Sequence, residues 1–211
     1  MLRPFGGMTR IVGIVVFDDV EVLDFAGPFE VFGVAGSIAA ARAFRPILVS
    51  ERPGPVVARN GFSVNPHVTF ADCPPLDIVL VPGGGGYRAD GSPYGSRKEM
   101  ANPVMTGWVR EQDGRTELTL SVCTGSLVLG AAGLLDGLRA TTHHQAYDAL
   151  RRLVPTATVV EGVKAVDAGR IVTSGGISAG IDMSLGIVAR LLGADVAAST
   201  ARQMEYDWAP G

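Results

Sequence analysis

The sequence predicts an open α/β sandwich built on a mainly parallel sheet, and three observations carry that reading. Short runs rich in Ile and Val recur along the 211 residues; continuous apolar runs of this kind suit strands covered on both faces. Helical patterns alternate with those runs, the order that a parallel sheet requires. The chain is long enough to bury one sizeable core, and 47% of its residues are hydrophobic against 18% charged, which excludes a disordered chain.

Taken in order, residues 10–17 form the first apolar run, and residues 28–35 the first helical pattern, opened by Pro28. A second run covers residues 44–49. Residues 56–64 break the rhythm and read as a small β-hairpin with Asn60-Gly61 at its turn, where positive φ is needed. The third run, 77–81, ends in Pro82 and the four glycines Gly83 to Gly86. Residues 88–100, with Gly91, Ser92, Pro93 and Gly95, read as a long mobile loop before a helix over 103–112. The fourth run, 117–122, ends at Cys123, and helices come next over 125–132 and 144–153. The fifth run, 170–173, ends in Ser174-Gly175-Gly176, before helices over 179–192 and 194–204. There is no internal repeat and no linker, so residues 10–211 read as one domain behind an extension of residues 1–9, in which Met8 would also serve as an initiator.

Composition narrows the function. A net charge of −3 gives no electrostatic footprint for nucleic acid. Two cysteines, Cys73 and Cys123, allow at most one bridge, and with a large core they fit a reducing compartment. The start holds no secretory signal and no run is long enough for a membrane helix, which makes the cytoplasm the default location and excludes a membrane partner. His67, His143, His144 and the cysteines show no metal-ligand spacing.

In open α/β sheets, ligands bind beyond the carboxyl ends of the strands. Those ends carry Asp24, Gly83 to Gly86, Cys123-Thr124 and Ser174 to Ser178. Cys123 sits where an apolar strand turns straight into a helix, the arrangement of a nucleophile elbow. The helix start there should lower its pKa and make it more reactive than Cys73. Gly125 and Ser126 leave room for a substrate; the alternative for Cys123 is a buried core thiol. The glycine loop at Gly83, Gly84 and Gly85 reads either as one half of an oxyanion hole, with the Thr124 N–H as the other half, or as a tight turn. Asp24, among apolar neighbours, should have a raised pKa suited to proton transfer, or it caps the following helix. His143 and His144 either reach Cys123 or begin a helix, and Ser178 reads as an N-cap. Gly176 lies near the expected pocket. Cys73 reads as structural.

The elbow Ser-Val-Cys123-Thr-Gly-Ser, the Pro82-Gly-Gly loop and Ala-Thr-Thr-His143 together resemble the ThiJ/PfpI superfamily. Within it, Leu23-Asp24-Phe25-Ala26-Gly27-Pro28, the long run from Val122 to Leu135 and Gly175-Gly176-Ile177-Ser178 are similar to the isonitrile hydratases. The resemblance implies a flavodoxin-like three-layer sandwich, a homodimer, no cofactor, and hydration of an isonitrile to an N-substituted formamide through a thioimidate. Carried over, the catalytic positions are Cys123, Asp24 and Thr124; Thr124 acts either through its N–H alone or, the favoured expectation, also through a hydroxyl that bonds the intermediate or the attacking water. Thr124 stands where the protease-like and glyoxalase-like branches place His, and His144 where an aromatic residue is usual. AraC-type transcriptional regulators carry a similar domain that senses a ligand without chemistry. The Arg202-Gln203-Met204-Glu205-Tyr206 run is similar to that group too. A chain ending at Gly211 leaves no room for their DNA-binding part.

Overall fold

The computed structural model describes residues 9–38 and 43–209; the proposed extension of residues 1–9 lies outside them except for Thr9. The elements run in this order: β1 (Arg10–Val15), α1 (Val22–Ile38), β2 (Phe44–Ser50), β3 (Val56–Val57), β4 (Ser63–Val64), β5 (Val68–Thr69), β6 (Ile78–Val81), β7 (Gly85–Tyr87), β8 (Pro93–Gly95), α2 (Ser96–Glu99), α3 (Pro103–Asp113), β9 (Leu118–Ser121), α4 (Gly125–Ala131), β10 (Arg139–Ala140), α5 (Tyr147–Leu153), β11 (Thr158–Val159), β12 (Ala165–Asp167), β13 (Ile171–Ser174), α6 (Ala179–Leu192) and α7 (Ala194–Gln203).

Seven strands form one sheet in the order β12-β13-β9-β6-β1-β2-β5. All pairings are parallel except that of the edge strand β12 with β13. The five expected strands occupy the middle in the 2-1-3-4-5 arrangement of a flavodoxin-like fold. Every residue of β6, β9 and β13 is buried, because α1, α6 and α7 cover one face and α2 to α5 the other. That double cover is why these strands read as unbroken apolar runs rather than alternating ones. The chain leaves β1 towards β2 and returns to β6, so a crevice opens between β1 and β6 at their carboxyl ends.

The hairpin forms as β3 against β4, with positive φ at both Asn60 and Gly61. Two expectations fail. Helix α1 starts at Val22, so Asp24 lies in its first turn and Pro28 inside it, where Pro28 has no N–H to give the Asp24 carbonyl. Residues 88–100 form no long loop: β7 pairs with β8, and α2 comes directly after. Ser178 does precede α6, but its side chain makes no capping bond. Among the described residues, no helix is long and apolar enough to cross a membrane.

Gly125 begins α4, and a Cβ built on it would collide with the Val81 carbonyl oxygen and lie 2.9 Å from that of Pro82. The missing side chain therefore seats α4 on the end of β6. Gly125→Ala is expected to cost on the order of 1–3 kcal/mol of stability by overpacking against backbone that cannot yield, checked by urea denaturation.

Candidate functional site

Four segments meet at the crevice. The turn between β9 and α4 places Cys123 at φ +56°, a left-handed conformation that costs a side-chain-bearing residue about 1–3 kcal/mol. Three segments hold it there. The Cys123 N–H donates to the Gly175 carbonyl after β13 (3.1 Å). The Thr142 and Ser126 hydroxyls donate to the Cys123 carbonyl at 2.9 and 3.2 Å. The geometry is that of the expected elbow.

Asp24 reaches the same place from α1. It is fully buried. The Gly83 N–H donates to its Oδ2 at 3.0 Å, and the Glu21 N–H donates to the Gly83 carbonyl at 3.0 Å, so the α1 start and the glycine loop brace each other. Asp24 Oδ1 is buried with no hydrogen-bond partner. Burial pushes the carboxyl up to about 8, with the nearby Glu21 adding to the rise; the Gly83 N–H and the neighbouring Cys123 thiol oppose it.

The surroundings of Cys123 do not favour the expected thiolate. Burial, and then the Asp24 carboxylate, push the Cys123 thiol up to about 12, although the Thr124 N–H and hydroxyl act the other way. Cys73, half-buried beside Asp72, is pushed up to about 11, and both cysteines are free. The helix start at α4 thus does not set the Cys123 titration; its burial does.

The oxyanion-hole reading of the glycine loop also changes. The Gly83 N–H is committed to Asp24, and the Gly84 N–H donates to Thr124 Oγ1 at 3.1 Å. Ser96 Oγ donates to the Gly84 carbonyl at 2.7 Å and also lies 2.7 Å from Thr124 Oγ1. Either hydroxyl can be the donor between Ser96 and Thr124, and the Thr124 hydroxyl also acts on the Cys123 thiol. The Thr124 oxygen is therefore tied into the wall, with its hydroxyl still beside the sulfur. A Cβ on Gly83 would sit 2.5 Å from the Thr124 nitrogen and 2.9 Å from Cys123 Cβ, so loop and elbow touch. Gly85 opens β7 and packs against Gly95 and the Tyr94 carbonyl. Gly125 is the seat of α4.

Gly176 does face the thiol. A Cβ there would lie 3.0 Å from Cys123 Sγ and collide with His143 Cδ2, so His143 reaches the site. Burial, with His144 and Arg97 adding, lowers the His143 pKa and keeps the ring neutral, and its Nδ1 accepts the Gln145 N–H at 3.3 Å. Sequence reasoning missed Ser96 and Arg97, because α2 is a single turn after a stretch that reads as loop. A separate cavity of about 670 Å³, lined among others by Phe17, Glu51, Glu99 and Met105, lies to the side and includes none of Asp24, Cys123 or Gly176. Among the described residues, no three His, Cys, Asp or Glu side chains are grouped to hold a metal ion.

Comparison with known proteins places this site in context. The sequence model of the DJ-1/PfpI family matches residues 10–190. The chain is 36% identical to the isonitrile hydratase of Pseudomonas putida over 96% of its own length and 81% of that protein. It is 33% identical to the HTH-type transcriptional regulator CdhR of Pseudomonas aeruginosa over 93% of its length, but spans 55% of the regulator. A ThiJ/PfpI family protein from Pseudomonas syringae superposes with a TM-score of 0.83 at 28% identity, over 100% of this chain and 84% of that one.

Two outcomes are expected. The Asp24 pKa rises from 3.8 when unfolded to about 8 when folded. Between those values the unfolded chain has lost a proton that the folded chain keeps, so stability falls with rising pH, by at most about 1.4 kcal/mol per pH unit. Asp24→Asn removes this dependence. Its stability relative to wild type should grow through that window and level off above about pH 8, read from urea denaturation at several pH values. Alkylation of the resting protein at neutral pH, mapped by mass spectrometry, should modify the half-buried Cys73 before Cys123, which is 5% exposed.

Proposed function

The chain belongs to the DJ-1/PfpI family, and on that premise we propose that it is a cysteine-dependent hydratase that adds water to an isonitrile. The observation that carries the proposal is the buried, unpartnered Asp24 Oδ1 beside the Cys123 thiol. A protonated Asp24 held there has its proton beside the Cys123 sulfur, and Oδ1 has no other partner in the protein. A neutral R–N≡C, whose terminal carbon accepts a proton and then a nucleophile, fits such a pair.

In this mechanism the Asp24 acid gives its proton to the terminal carbon, and the Cys123 sulfur forms a bond to the same carbon. The thiol proton passes to the Asp24 carboxylate, leaving the thioimidate R–N=CH–S and a protonated Asp24. Water then adds to the thioimidate carbon. Asp24 protonates the nitrogen and takes a proton from the water. The C–S bond breaks as the C=O bond forms, a proton returns to sulfur, and R–NH–CHO leaves. Thr124 acts by position: its N–H lies at the helix start beside the sulfur, and its hydroxyl fixes the loop that holds Asp24. Gly176 leaves the approach to the sulfur open. The reaction draws on no cofactor, and a homodimer acting in the cytoplasm is part of this reading.

The identity to a transcriptional regulator supports a second reading, a ligand-sensing domain without turnover. One experiment separates them. Formamide production from a panel of small isonitriles should be measurable for the wild type and lost in Cys123→Ala. The wild-type rate should be flat at neutral pH and fall as pH rises through about 8, the value at which Asp24 loses its proton. No turnover of any isonitrile by folded protein would favour the sensor, and a rate that rises through that range would remove Asp24 as the acid.

A further inference from the structure

We infer that the pocket takes an isonitrile whose R group carries a carboxylate, held by Arg97. This deepens the hydratase reading and rests on it for the isonitrile, but not for the carboxylate.

Arg97 stands in the wall of the site. Its Nη1 donates to Ser96 Oγ at 3.4 Å, and that oxygen is 2.7 Å from Thr124 Oγ1, so the guanidinium lies two hydrogen-bond lengths from the residue after Cys123. It is half-buried, and its loss of water lowers its pKa. Among the described residues no carboxylate pairs with it; Tyr87 and Cys123 are the acidic groups near enough to act on it.

The charges around it do not cancel. Asp24 and Cys123 both keep their protons at neutral pH. Glu21 is taken by Arg59 at 3.2 Å. His143 is neutral. One partly desolvated positive charge is left over, and a guanidinium in that state gains most from a bidentate carboxylate. Geometry sets where that carboxylate sits. Arg97 lies near enough to Cys123 and to His143 to act on both, so an isonitrile whose carbon sits at Cys123 Sγ has its R group within the field of the guanidinium. A carboxylate on that R group is the partner the guanidinium lacks. The substrate class is then an isocyano carboxylate, and the product of its hydration is an N-formyl amino acid: water adds, and no redox partner is involved.

Binding of the stable product analogue tests this without turnover. Calorimetry would compare N-formylglycine with its methyl ester on the wild type, Arg97→Gln and Arg97→Lys, each checked for folding by circular dichroism. The wild type should prefer the acid by about ten- to a hundredfold. Arg97→Gln should abolish the preference. Arg97→Lys, the safer variant for folding, should keep only part of it, because an ammonium lacks the fork. Equal binding of acid and ester by the wild type, or a preference unchanged in the folded variants, overturns the inference. If the preference holds and no isonitrile is turned over, the carboxylate site stands and the hydratase reading falls.

Discussion

A carboxyl group sealed from water governs this site. Asp24 is fully buried, with the Gly83 N–H on its Oδ2 and the Cys123 thiol beside it. A charge in that position would cost several kcal/mol, so the group keeps its proton well above the usual carboxylate range. The surroundings are constrained accordingly. The glycine loop must approach closely enough to bond Oδ2, and a side chain at Gly83 would strike Thr124. Helix α1 must start early enough to bring position 24 into its first turn, which the bond from the Glu21 N–H to the Gly83 carbonyl secures.

The same burial decides the state of the neighbouring thiol. Two effects compete at Cys123. A helix start favours a thiolate by about 0.3–1 kcal/mol, or about 2 in the best geometry. The rise from 9.0 to about 12 corresponds to a net opposing free energy of about 4 kcal/mol. Burial wins, and the pair rests with both protons in place. In the proposed hydration, activation therefore comes with the substrate, by proton transfer through Asp24, and not from a standing thiolate.

The scaffold was legible in the sequence for a physical reason. Strands buried on both faces must be continuously apolar, so β1, β2, β6, β9 and β13 stand out, and the chemistry at their carboxyl ends lies in the residues just after each run. The Asn60-Gly61 turn is equally local. The remaining features depend on tertiary contact. Strand β12 and the ribbons β7–β8 and β10–β11 have two or three residues a strand, too few for a period. The start of α1 at Val22 was hidden because Pro28 looks like a first-turn residue. Ser96 carries no local signal; its part is fixed only when α2 meets the end of β6 and the start of α4. The Cys123 titration misled for the same reason: a helix start is visible in sequence, and depth of burial is not.

A ligand-binding pocket and a reacting site make different demands on this scaffold. A pocket that only bound would keep its shape with glycine at position 123, which would relieve the left-handed strain, and with asparagine at position 24, which would remove the pH-dependent cost of a buried acid. This chain instead keeps a side chain at a strained turn, with three hydrogen bonds to hold it, and an acid whose second oxygen has no partner. Each feature costs stability, and binding alone gains nothing from either. Both are accounted for if the sulfur must be aimed at a carbon that the Asp24 proton also reaches. The wall that carries Arg97 lies outside that pair and belongs to segments with no strand of the main sheet, so the residues that would set the R group are separate from those that would react with the carbon.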